Sequence, residues 1–371
     1  MSQDAVIVGA GLIGCGIAYE LAKRGAAVTV YDRAEPARAA SWAGAGMLAP
    51  YSEEVVDPAL LALCAASLRA YPAFVDDLRE RTGVDAHLRH AGTLHVAFDD
   101  ASASGRAAQC AAFRRNGADA SVLERDATVA REPMLGGNVR GAVYVANEAH
   151  VDNRRLGRAL VAACTDAGVR FERTAGVALE ADARRVRGIR TEHGFAAAGT
   201  VVNAAGAWAG QLEGVPAGAR IAVRPVAGEM LALAVPKGFA RGLVWSQHVY
   251  LVPRDDGRLL VGATSIERDF DVRVTARGVQ SLLDVALRIA PVLGTFALVE
   301  TWAGLRPASH DGRPYLGATS IGGYFVAAGH YRNGILLAPI TAQALAALIS
   351  GERPPLELSA FDPQRDAPEA A

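Results

Sequence analysis

Residues 4–25 read DAVIVGAGLIGCGIAYELAKRG. Ala5–Val8 is an unbroken apolar run, the mark of a strand buried on both faces. Gly9-Ala10-Gly11-Leu12-Ile13-Gly14 follows. Ile13, Ile17 and Leu21 then recur at helical spacing to about Arg24, and Gly25 stops the helix. Val28–Tyr31 is a second buried strand, ending at Asp32. A strand–helix–strand unit of this kind implies a parallel sheet with its first strand near the centre. Here Gly9 permits the tight turn, Gly11 lets backbone approach a pyrophosphate, and Gly14 allows close helix–strand packing. A diphosphate suits the free N–H groups at the positive end of the helix. Asp32, 18 residues past Gly14, can accept the hydroxyls of an adenosine ribose. A dinucleotide is expected; the alternative is a glycine-rich turn without a ligand.

Outward from this unit, Asp57–Arg81 is a long amphipathic helix that Tyr71-Pro72 is expected to kink or split. Leu88–Phe98 is strand-like around Gly92, and Arg106–Asn116 and Arg154–Ala167 read as helices. Val201–Val202 is another buried strand, running into Asn203-Ala204-Ala205-Gly206-Ala207-Trp208. Ala222–Val235, Leu243–Val252, Arg258–Ala263 and Leu298–Leu305 follow one another as strands joined by turns such as Arg254-Asp255-Asp256-Gly257, which implies antiparallel pairing. Tyr324–Ala328 returns as a buried strand before a helix over Ile335–Ser350. The chain therefore reads as α/β with two interleaved domains. One is Rossmann-like with a parallel sheet (1–85, 150–220 and 306–355), and the other is an antiparallel-sheet domain (86–149 and 221–305). The tail, 356–371, loses periodicity and is expected to fray.

Composition narrows the function. Across 371 residues, Lys+Arg 38 against Asp+Glu 39 leaves a net charge of −1, so no chain-wide field favours nucleic acid or an anionic membrane. Cys15, Cys64, Cys110 and Cys164 form no CxxC pair, and reduced, buried thiols are expected. The N-terminal apolar run lacks a basic leader and is broken by glycines, while Pro339, Thr341 and Gln343 interrupt Ile335–Ile349. The expectation is a soluble, cytoplasmic protein without membrane or nucleic-acid partners. No G-x-S-x-G, H-E-x-x-H or P-loop occurs, and Glu148–Asp152 alone falls short of a metal site, so no metal is expected.

Beyond the glycine turn, Ser41–Met47 (SWAGAGM) is a small-residue segment that lets backbone run close to a flat ring or a phosphate, or is an ordinary loop. Arg306 ends a strand-like stretch and Arg332 precedes Asn333-Gly334; either can clamp a carboxylate with two parallel N–H bonds, or serve as a structural or solvated cation. His248 and Tyr250 alternate with Val249 and are expected on one strand face, as ligand contacts or as satisfied core residues.

Taken together with VVNAAGAWAG, HVYLVPRDDGRLLVGAT, WAGLRPASHDGRPYLG and AAGHYRNGILLAP, these segments resemble the flavin-dependent D-amino-acid oxidase superfamily, and within it the glycine oxidase branch. The resemblance covers nearly the whole chain and implies FAD. Leu12 and Ile13, with Gly9, Gly11 and Gly14, would meet the pyrophosphate, and Asp32 and Arg33 the adenosine end. Ala40, Ser41, Ala45, Gly46 and Met47 would line the flavin, Val177 the adenine, and Ala205, Gly206 and Trp208 more of the cofactor surface. His330, Tyr331, Arg332, Asn333, Gly334, Ile335 and Leu336 would close over the isoalloxazine. Arg306 corresponds to the substrate-carboxylate ligand, with Arg332 and Tyr250 beside it, His248 and Glu53 at the pocket mouth, and Met47 toward the substrate. Ser265 stands where some members carry Met, which bears on pocket size. Relatives that attach flavin covalently use a cysteine in the C-terminal part; the last here is Cys164, so FAD is expected to be non-covalent.

The implied reaction is oxidation of glycine or an N-substituted glycine, a hydride leaving Cα for flavin N5. The imine is hydrolysed to glyoxylate and an amine, and dioxygen is reduced to hydrogen peroxide. No side-chain base is required; Arg306 and Tyr250 orient the substrate. A homo-oligomer is expected. The branch often serves thiamine biosynthesis, and a larger N-carboxymethyl amine of secondary metabolism is a further possibility. The alternatives are a D-amino-acid oxidase or dehydrogenase, which needs room on Cα rather than on nitrogen, and a module retaining FAD without catalysis.

Overall fold

The computed structural model describes residues 4–365 except Glu54, Ala183, Gln247 and His248. Ala5–Val8 is the fourth strand of a six-stranded sheet whose order is Tyr315–Ala318, Tyr324–Ala328, Val201–Asn203, Ala5–Val8, Val28–Asp32, Arg170–Arg173. All pairs are parallel except the Tyr315–Ala318 edge. The alternation within Ala5–Val8 explains its unbroken apolarity. Ala5 and Ile7 join the core made with Leu12–Lys23, Pro58–Thr82, Asn153–Asp166 and Ala338–Ile349, whereas Val6 and Val8 face a core shared with the three-stranded sheet of 178–197.

The second layer is an eight-stranded sheet ordered Leu298–Ala308, Arg224–Ala234, Arg258–Gly262, Val249–Pro253, Leu243–Ser246, Thr93–Ala97, Gly141–Val145, Ala120–Glu124. One pair, Leu243–Ser246 with Thr93–Ala97, is parallel; the rest are antiparallel. Helix Ala276–Ile289 packs over it through Leu282, Ala286 and Ile289.

Several local expectations are corrected. Leu243–Val252 is not one strand: Ser246 pairs antiparallel with Val249, so the chain reverses between them. Pro72 does not split its helix, which runs unbroken over Pro58–Thr82. That helix is anchored on both sides of the proline by Leu63, Ser67, Tyr71, Phe74 and Leu78, all buried. It is also long and apolar enough to cross a membrane by length and composition. The helix expected from Arg106 begins at Asp100, because Asp99 and Ser102 form a reciprocal cap. The tail is docked as far as Arg365: Phe361 is buried, and Arg365 pairs with Asp311 at 2.9 Å and stacks on Tyr315. Strand Leu298–Ala308 carries Arg306 inside the eight-stranded sheet.

Candidate active site

The carboxyl ends of the five parallel strands open on one edge, where doubly wound sheets bind ligands. Ala5–Val8 leads into Gly9–Gly14, Val28–Asp32 into Arg33, and Val201–Asn203 into Ala205, Gly206 and Trp208. Arg170–Arg173 leads toward Val177, and Tyr324–Ala328 into His330–Leu336. Segments distant in sequence are thus gathered by topology alone.

The glycine turn is packed too closely against backbone to admit side chains at Gly9 and Gly14. A Cβ on Gly9 (φ +108°) would stand 2.3 Å from Ala204 O, and one on Gly14 would stand 1.9 Å from Gly9 O. Helix Leu12–Lys23 starts at Gly11 with no side-chain cap and no acidic residue in its first turn. Its Leu12 N–H donates to Ser41 Oγ at 2.9 Å. A positive helix end whose N-cap residue, Gly11, brings no side chain fits the diphosphate of FAD.

Asp32 has a second role the sequence reading missed. Its Oδ2 accepts the Ala10 N–H at 2.7 Å and its Oδ1 the Ala34 N–H at 2.9 Å, tying the glycine turn to the second strand. Each oxygen keeps lone-pair capacity for a ribose hydroxyl. Arg33 lies 3.7 Å from the Trp208 ring centroid.

The small-residue segment is clamped from three sides. Trp302 Nε1 donates to Ala43 O at 2.8 Å, Asn153 Nδ2 to Ser41 O at 2.8 Å, and buried Arg254 to Ala45 O at 2.8 Å. Arg254 had been read only as part of a turn. Met47 packs in the apolar cluster that holds Tyr250, Met230 and Trp302.

Arg306 is aimed by strand periodicity. Trp302, Gly304 and Arg306 share one face of Leu298–Ala308, and the first two abut Ala43, so Arg306 projects toward the same side. Its Nη1 donates to Thr264 O at 3.1 Å. Burial raises the Tyr250 phenol above its ordinary value, while the nearby Arg306 charge works against the rise. Glu53 accepts from Arg332 Nη1 at 3.3 Å, and this carboxylate, with Tyr331, lifts Arg332 against the burial that would lower it. Burial also opposes ionisation of Tyr331, but Arg332, Ser265 and Arg306 bring its phenol below the usual range. Arg306, Tyr250, Glu53, Arg332 and Ser265 therefore belong to one electrostatic neighbourhood. His248 lies outside the described residues.

A buried polar array stands behind Glu53. Ser52 Oγ lies 2.7 Å from His95 Nε2 and donates to Glu148 Oε2 at 2.5 Å, while Glu148 Oε1 accepts the N–H groups of Tyr51 and Ser52 at 2.9 and 2.8 Å. Burial pushes Glu148 up to about 7 and His95 down to about 4. Sequence reading named Glu148 only as part of a compact acid/His run. Among the described residues no cluster of His, Cys, Asp and Glu could hold a metal. The four cysteines are free and buried; hydrogen bonding with Cys164, then burial, raises the Cys15 thiol well above its ordinary value.

The chain is 36% identical over 362 residues to glycine oxidase of Geobacillus kaustophilus, covering 96% of each. The crystal structure of that oxidase superposes with a TM-score of 0.92, covering 98% of this chain and 99% of the other. The structure of iminodiacetate oxidase from Chelativorans sp. superposes with a TM-score of 0.89 at 29% identity, covering 97% and 98%. A bifunctional ThiO/ThiG protein of Synechocystis sp. is 37% identical over 374 residues; the match takes in 98% of this chain but 54% of that protein, so the chain spans about half the length of such bifunctional relatives. The model of the DAO family, FAD dependent oxidoreductases, matches residues 4–348, and the chain belongs to that family.

Proposed function

We propose that the protein oxidises the C–N bond of glycine or an N-substituted glycine. The observation that carries this reading is the placement of Arg306. It is a cation on a strand whose same face touches the Ala43 segment, with Tyr250 within its influence. A guanidinium there pairs with a carboxylate through two parallel N–H bonds and so fixes where Cα lies. When bound, FAD supplies the two-electron acceptor. Tyr250 and Arg306 hold the acid group, and the Glu53–Arg332 pair stands at the mouth. The overall change converts glycine, water and dioxygen into glyoxylate, ammonia and hydrogen peroxide. The cofactor would sit on the six-stranded part (1–85, 150–220 and 306–355), and the amino acid on the eight-stranded part (86–149 and 221–305), with the strand through Ala308 supplying Arg306.

An anaerobic titration of the FAD-loaded protein with glycine, sarcosine and D-alanine tests the reading. Glycine or sarcosine is expected to bleach the flavin. Bleaching by D-alanine alone, or by no amine, would overturn it.

A further inference from the structure

One row of register partners crosses the eight-stranded sheet: Trp302, Met230, Gly262, Tyr250, Trp245, His95. Residues paired in this way share a sheet face. The row therefore continues from the proposed carboxylate site at Tyr250 onto Trp245, 5.4 Å between ring centroids, and onto His95, 5.8 Å further and stacked on Trp245. Trp245 and His95 line a cleft of about 510 Å³, whose wall also includes Glu53 and Arg332. The mouth of the amino-acid site is thus a wall of a second space.

Gly105 lines that cleft from helix Asp100–Arg115. Glycine inside a helix sacrifices stability, and it is retained where a backbone turn or a close approach demands it. Neither applies: Gly105 has no positive φ, and a Cβ built on it meets nothing within 4 Å. Gly105 is exposed at the cleft wall, with open space where a side chain would stand.

The chemistry of the walls limits the occupant. Ser52 and His95 present a polar surface fixed from behind by Glu148. The charges are already answered: Arg332 by Glu53, the Asp99 carboxylate by the Ser102 N–H and the nearby charge of exposed Arg288, and Arg106 by Leu123 O at 2.6 Å. A hydrogen-bonding group without net charge fits such a lining better than an ion or a bare alkyl chain.

We infer that this cleft receives the N-substituent of the substrate, and that the substrate is a secondary amine: a glycine carrying an extended, neutral, hydroxyl- or amide-bearing chain on nitrogen. The inference rests on the proposed glycine-type oxidation. In the balanced reaction, R–NH–CH2–COO⁻ with water and dioxygen gives R–NH2, glyoxylate and hydrogen peroxide. The Cα–H bond breaks, the carbon is oxidised by two electrons, and water supplies the aldehyde oxygen.

The test compares kcat/KM of the FAD-loaded protein for sarcosine, for N-(ω-hydroxyalkyl)glycines of two, four and six carbons, for N-alkylglycines of equal length and for iminodiacetate. A hydroxyalkyl substrate is expected to exceed both sarcosine and its alkyl counterpart at least tenfold. Gly105→Trp should lower the ratio of the six-carbon hydroxyalkyl substrate to sarcosine at least tenfold, while Gly105→Ala should preserve it. A ratio unmoved by Gly105→Trp, or a preference for iminodiacetate or alkyl chains, would overturn the inference while leaving glycine-type oxidation standing. If no glycine derivative is oxidised at all, the underlying reading fails instead.

Discussion

The guanidinium of Arg306 lies against the backbone of Gly228: a Cβ built on Gly228 would stand 2.4 Å from Nη1 and 2.6 Å from Cζ. Gly228 has no positive φ, so alanine is acceptable to the backbone and its cost falls on the arginine. Gly228→Ala should displace the guanidinium and raise KM for the amino acid roughly tenfold or more, equivalent to about 1.4 kcal/mol. FAD content should not change. Steady-state kinetics beside the visible spectrum separate the two, and an unchanged KM would mean that the guanidinium does not hold the acid group.

Arg306→Lys makes the complementary change. Nη1 of the native side chain donates to Ala227 O at 3.5 Å and, more closely, to Thr264 O at 3.1 Å. An ammonium cannot reproduce a planar two-pronged pairing while also reaching that carbonyl. KM should rise sharply, with a smaller fall in kcat. Equal KM values for variant and parent would remove Arg306 from the substrate site.

What could be read in advance follows from the range of the interactions. The turn at Gly9–Gly14 was legible because strand, turn and helix each leave a local pattern, and the steric demand on Gly14 comes from nearby Gly9, although that on Gly9 comes from distant Ala204. The arginine at a strand end was legible as a candidate for the same reason. The array of Ser52, His95 and Glu148 was not, since its contacts span 43 and 96 residues and depend on sheet register. Gly228 looked like an ordinary strand residue until Arg306 was laid over it. The reversal between Ser246 and Val249 was hidden because both arms are apolar and no Gly, Pro, Asn or Asp stands between them. Helix Ala276–Ile289 was missed, and the docking of Arg365 on Asp311 joins residues 54 apart in sequence.

Buried ionisable groups give stability a pH dependence of mixed sign. Burial lowers His95 to about 4 and His330 to about 3; burial, then the Arg254 and Arg89 charges, lowers His150 to about 3. As pH falls from about 6.5, the unfolded chain binds protons that these folded histidines refuse, so stability is lost. Glu148 acts oppositely. Its folded value of about 7 exceeds the ordinary carboxyl value, so stability is gained as pH falls through 7 toward 4.5. Each proton contributes about 1.4 kcal/mol per pH unit. Glu148→Gln can still accept the Tyr51 and Ser52 N–H bonds. The difference in Tm, variant minus parent, should therefore grow from pH 5 to pH 8. A constant or shrinking difference would show that Glu148 is ionised throughout.

The segment expected over the flavin is held from behind by helix Pro58–Thr82. Ser67 Oγ donates to Leu336 O at 2.5 Å and Tyr71 Oη to Ile335 O at 2.7 Å, both hydroxyls being buried or nearly so. These bonds occupy carbonyls of residues 335 and 336, just before helix Ala338–Ile349 begins, and so fix how 330–336 leaves the sheet. Removing the Ser67 hydroxyl takes from Leu336 O its side-chain partner, at a cost of about 1–3 kcal/mol, whereas Ile335 O keeps the Ala338 N–H at 3.3 Å when the Tyr71 hydroxyl is lost. Tyr71→Phe keeps the ring and its edge-on contact with Phe74, so the helix core is preserved. Tyr71→Phe combined with Ser67→Ala should weaken FAD retention by roughly tenfold, read as the Kd from fluorescence of released flavin. The far-ultraviolet circular dichroism should stay that of the parent. Undiminished FAD retention in the double variant would show that 330–336 holds its course without the helix behind it.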